Sequence, residues 1–158
     1  MLGSFKRLFQ DRVAPQIAQS SPEAREHGLR LAAAALLFEV VRADGTVKPE
    51  ELAVMRAAVQ STFALAREEA EELVRLAEGA SRGAASLYEL TSLVDRDLPF
   101  DDKKRVVELL WLVAFADTAK DAQEELIVRQ VAGLLHVPHP DFIDAKIRAR
   151  AQSGLDQG

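Results

Sequence analysis

The sequence predicts an all-α fold. Apolar residues recur at three- and four-residue spacing along nearly the whole chain. Alanine, leucine, glutamate and arginine dominate, and all are good helix formers. Apolar–polar alternation of the strand type is hard to find, and Asn-Gly turns are absent. The chain has 158 residues, of which 48% are apolar. That suits one globular core and is too apolar for a disordered chain. The expected architecture is a single-domain bundle of about seven helices. Residues 1–21 read as an amphipathic N-terminal segment and linker, 22–152 as the helical domain and 153–158 as a loose tail.

In Leu2 to Val13, Leu2, Phe5, Leu8, Phe9 and Val13 share one stripe, with Lys6, Arg7 and Arg12 off it. This piece carries a net +2 and leaves −7 on the remainder. Such a stripe can meet a membrane surface, a partner groove or its own domain. Ala14 to Ser21, with Pro15 and a Gln-Ser-Ser run, reads as the linker. Ser21-Pro22-Glu23 opens a helix with a serine cap, proline at the first position and an acid in the first turn. It should run to about Ala43, with Leu29, Ala32, Ala33, Leu36, Leu37, Val40 and Val41 inward. The alanines allow close approach, which predicts a central helix.

Asp44 to Lys48 is expected to be a loop, and Pro49-Glu50-Glu51 opens a helix carrying Leu52, Met55, Val59 and Phe63. A third helix spans Ala66 to Ala80, with acids near its start where the macrodipole favours them. Leu87, Leu90 and Leu93 mark a fourth over about Ala84 to Val94. Asp101-Asp102 starts a long apolar helix to Ala116, with Val106, Leu109, Leu110, Val113 and Ala114 inward. Trp111 is read as a packing residue. Leu126, Ile127, Val131, Leu134 and Leu135 are the expected core of Ala122 to His136, and Ile143 and Ile147 that of a last helix after Pro138.

Composition excludes several functions. The net charge of −5 disfavours nonspecific nucleic-acid binding. The absence of cysteine rules out disulfides, thiolate zinc sites and cysteine nucleophiles. No apolar run is long enough to span a bilayer, and the charged N-terminus gives no secretory signal. H-E-x-x-H, phosphate-binding glycine loops and G-x-S-x-G are missing, so no particular catalysis is indicated. His136, His139 and Asp141 form a weak histidine–carboxylate candidate that turn and cap roles explain better.

Two stretches resemble each other at a shift of 73 positions. Phe38 aligns with Trp111, Asp44 with Asp117, Glu51 with Glu124 and Arg56 with Arg129. The pattern suggests two pseudo-repeated helix-loop-helix halves whose acidic loops face each other. Asp44, Glu51, Asp117, Glu124 and Asp121 are the candidate ligands of a divalent cation, calcium or magnesium, with Glu50 and Glu125 in reserve. The loops lack EF-hand spacing. The same residues fit capping: Asp121 and Glu124 make a capping box, and Glu51 can reach back to its own helix start. Lys120 places a positive charge in the second loop, which predicts the weaker site there.

At these loops the chain resembles the TerB-like family, named for tellurite-resistance proteins. The resembling residues are Ala43-Asp44-Gly45-Thr46-Val47 with Glu50-Glu51, and Ala116-Asp117 with Glu124-Glu125-Leu126-Ile127-Val128-Arg129. Leu134 to Phe142 is similar to the family's common ending, and the likeness covers about Leu29 to Arg148. The resemblance implies a helical bundle with paired acidic loops, acting as a metal-binding or interaction module in bacterial stress systems, in some cases fused to J-domain co-chaperones. The expected function is a non-catalytic, cytoplasmic adaptor that binds a divalent cation, a protein partner or both through the paired acidic loops. The alternatives are a scaffold at the inner membrane face, held through residues 2–13, and a metal-dependent hydrolase.

Overall fold

The structure is a computed structural model that describes residues 4–19, 21–44, 48–79, 84–116 and 122–154. Its elements are α1 (Ser4–Leu8), a π-helical stretch (Phe9–Val13), α2 (Ala14–Ala18), α3 (Pro22–Asp44), α4 (Pro49–Phe63), α5 (Arg67–Gly79), α6 (Ala84–Asp97), α7 (Phe100–Ala116), α8 (Ala122–Leu134) and α9 (His139–Gln152). The described residues contain no strand. The seven longer helices, α3 to α9, match the number expected.

Local chemistry sets the boundaries. Ser21 caps α3, its Oγ accepting from the Ala24 N–H at 3.3 Å. Glu69 caps α5, accepting from the Ala66 N–H at 2.8 Å. α4 ends where Ala64 turns left-handed at φ 54°. α8 ends in a Schellman closure. The Val137 N–H donates to the Ala132 carbonyl, the His136 N–H donates to Gly133, and His136 takes the left-handed position at φ 59°.

α3 is buried on all sides at its middle. Leu31, Ala32, Ala33, Ala34, Ala35, Leu36 and Phe38 are each at most 1% exposed. A helix apolar all round belongs in the interior, and α2, α5, α6 and α7 pack against it. α7 is the second core helix, through Val106, Val107, Leu109, Leu110 and Trp111, and α9 covers it with Phe142, Ala145 and Ala149.

Two expected core residues point outward. Leu126 is 61% and Ile147 56% exposed. The buried stripe of α8 is Val128, Val131, Ala132 and Leu135. At 3.6 residues per turn Leu126 falls on the opposite side of that stripe. Ile147 is likewise opposite Phe142, Ala145 and Ala149. The segment read as a linker also differs: Ala14–Ala18 is helical, and it packs along α3.

Candidate functional site

The two loops of interest follow α3 and α7, so the relative course of those helices decides where the loops emerge. An ion pair joins Arg25, early in α3, to Asp102, early in α7. Arg105 Nη2 and Nε donate to Glu26 at 2.7 and 3.2 Å. The two helices therefore meet near their N-terminal ends. At about 1.5 Å per residue, α3 runs roughly 28 Å from Arg25 to Asp44, and α7 roughly 21 Å from Asp102 to Ala116. Helix C-termini carry partial negative charge, which favours a cation.

Of the sequence-predicted ligands, Glu51 is exposed on the first turn of α4. Its Oε1 accepts the Lys48 N–H at 3.0 Å, so it acts as a cap. The backbone of Asp44 closes α3 and that of Glu124 lies in the first turn of α8, but their side chains lie outside the described part, as do Asp117 and Asp121 altogether. Glu50 is exposed. Glu125 is drawn towards Arg129 at 3.5 Å and Lys146 at 3.4 Å. Among the described residues, no group of three or more His, Asp or Glu side chains is placed to hold a metal ion. His136 Nδ1 lies 3.1 Å from Asp95, while His139 stacks on Phe142, so the histidine–carboxylate candidate does not converge.

Near the C-terminal end of α3 is an ion pair that the sequence reading missed. Glu39 and Arg42, on α3, are 0% and 4% exposed. Arg42 Nε and Nη2 donate to the two Glu39 oxygens at 2.8 and 2.5 Å. That bond holds the Arg42 guanidinium above its ordinary range against the opposing effect of burial. The signal was the Glu-x-x-Arg spacing inside an apolar helix. Close to the end of α7, Trp111 is buried against Phe115 and Phe142 at centroid distances of 5.5 and 5.3 Å. Lys146 Nζ sits 5.1 Å from the Trp111 ring. The expectation that Trp111 packs is met.

At the opposite end, burial pushes the Glu26 carboxyl up, but Arg105 and Arg30 outweigh it and hold the group below its ordinary range. Arg105 also donates to Glu108 at 2.7 Å, and Arg148 of α9 joins it at 3.3 Å. The network locks α3, α7 and α9 in register. On α6, Asp95 is held low by the Lys103 hydrogen bond against the effect of burial, with His136 adding to the lowering.

A family model described as Tellurite resistance protein TerB matches residues 30–147. The chain belongs to the TerB family. No curated protein and no solved structure matches it. The TerB match begins within α3 and ends within α9, so it takes in Asp44, Asp117 and the whole of α7. Residues 4–18 lie outside it, yet Phe5, Leu8, Phe9 and Val13 are buried in the TerB core. No helix among the described residues is long and apolar enough to cross a membrane.

Proposed function

We propose that this TerB domain is a non-catalytic adaptor. It takes a divalent cation, calcium or magnesium, and through it or beside it a protein partner, at the paired acidic loops after α3 and α7. The observation that supports this reading most is the joining of α3 and α7 near their N-terminal ends by Arg25–Asp102 and Glu26–Arg105, and in this proposal the two helices run on side by side so that their acidic loops emerge together. Hard cations prefer carboxylate and carbonyl oxygens, and two helix C-termini add favourable partial charge. Asp44 and Asp117 are the assigned principal ligands, with Asp121, Glu124 and the second oxygen of Glu51 completing the set. A cytoplasmic role in a tellurite, metal or envelope stress response accords with the family.

Calorimetric titration with calcium, magnesium, manganese and zinc tests the cation half of the proposal. Binding that weakens at least tenfold in both Asp44→Ala and Asp117→Ala supports it. No heat at millimolar ion, together with no ion-dependent rise in melting temperature, removes it.

A further inference from the structure

We propose that residues 4–18 are a stowed membrane-docking helix, folded against the TerB domain in the form described here and able to exchange that site for an anionic bilayer surface. The segment has the composition of an interfacial helix. Phe5, Leu8, Phe9 and Val13 form the apolar face, each at most 3% exposed, while Arg7, Gln10, Asp11 and Arg12 face solvent. Aromatic and leucine side chains opposite arginines are what the headgroup boundary takes up. The basic segment precedes a net-acidic remainder, so charge favours an anionic surface for the segment alone.

Three features make the stowed position a built one. Gly28 of α3 lies under the segment: a Cβ there would fall 3.0 Å from both Gln16 Cβ and Ile17 Cγ1, and 3.2 Å from the Val13 carbonyl oxygen. A side chain at position 28 would force the segment to shift by a few tenths of an ångström or more. The π-helical stretch at Phe9–Val13 is the second feature. An apolar stripe spaced by four residues drifts round an α-helix, and a wider π turn brings Val13 and Ile17 back towards the face of Phe5 and Phe9. The third is the Arg12–Glu72 ion pair at 2.6 Å, which fastens the segment to α5 beside a cleft of about 500 Å³ lined by Arg7, Asp11 and Leu76 among others.

The segment's own structure makes a free form in water unfavourable. It is one continuous helical run from Ser4 to Ala18 that passes through the π-helical stretch. A helix this short holds its shape only against an apolar surface. The domain groove is one such surface and a bilayer boundary is another. The same four side chains serve both, so stowing and membrane docking exclude each other.

The full-length chain tests this. It has no cysteine, so an Arg12→Cys/Glu72→Cys pair can be joined selectively by a short bis-maleimide to pin the segment. Flotation is measured with vesicles of phosphatidylcholine containing phosphatidylglycerol and with phosphatidylcholine alone. The uncross-linked pair is expected to float several-fold more with the anionic vesicles than the cross-linked one. Gly28→Leu, which pushes the segment out, should exceed wild type, and Arg7→Glu should fall below it. Should Gly28→Leu fail to fold, the cross-linking comparison and Arg7→Glu carry the decision. Equal flotation with and without the cross-link overturns the proposal. So does a Gly28→Leu gain that is the same on neutral vesicles, or a released chain that dimerises by light scattering and floats on neither.

Discussion

Arg105 of α7 grips Glu26 of α3 through two hydrogen bonds, and this clasp holds the two core helices together near their N-terminal ends. Because the Glu26 carboxyl is held below its ordinary range, the folded state binds its proton less readily than the unfolded chain does. The clasp therefore contributes stability above the ordinary carboxylate pKa of about 4.3, and loses that contribution as pH falls through the lower folded value. Wild type should show a steep fall in urea midpoint on acidification below about pH 4.3. Glu26→Gln should be less stable at neutral pH and show a shallower fall. Arg105→Ala should cost about 1–2 kcal/mol at neutral pH, a modest value because both side chains are partly solvated.

The buried pair on α3 should be far less tolerant. Arg42→Met removes both hydrogen bonds that the guanidinium makes to the buried Glu39 carboxylate. We expect a loss of about 3–5 kcal/mol in urea unfolding at neutral pH. Glu39→Gln keeps an acceptor for Arg42 and should cost less. Equal effects from the two variants would mean that the pair's charge is immaterial to the fold.

Ala64 ends α4 in the left-handed region, and the Leu65 N–H closes back on the Gln60 carbonyl at 3.2 Å. A side chain in that conformation is strained by roughly 1 kcal/mol, and glycine relieves it. Ala64→Gly should therefore raise the melting temperature by about 2–4 °C in a chain of this size. A drop in melting temperature would show that the turn is held by packing rather than by backbone preference.

Helix starts were readable because their chemistry is local. Ser21-Pro22, Pro49-Glu50 and Asp101-Asp102 each place a cap, a proline or an acid where the first turn needs it, and each helix begins within a residue of its expected start. Faces were harder. Leu126, Ile127 and Val128 are consecutive apolar residues, so more than one stripe can be drawn through α8. The choice fell to contacts with α7 and α6, made far away in sequence. The N-terminal stripe was visible too, but periodicity does not say what surface a stripe meets, and a π turn leaves no local mark. The chemistry of the acidic loops was legible in Asp44 and Asp117. The joining of the helices that precede them was not, because it depends on Arg25–Asp102 and Glu26–Arg105, pairs 77 and 79 residues apart.

Glu51 separates the capping role from the cation role. Its Oε1 holds the Lys48 N–H, a task that a glutamine side chain performs equally well. Glu51→Gln should therefore leave the melting temperature of the ion-free chain within about 1 °C of wild type, whereas Glu51→Ala should lose about 0.5–1 kcal/mol with the cap. If Glu51 also faces a cation, the two variants should weaken calcium or magnesium binding to a similar extent despite their different stabilities, because both remove the same negative charge. Melting curves with and without ion, set beside calorimetric affinities, read the two effects independently. Unchanged affinity in both variants would confine Glu51 to the helix start and leave the cation to Asp44, Asp117, Asp121 and Glu124.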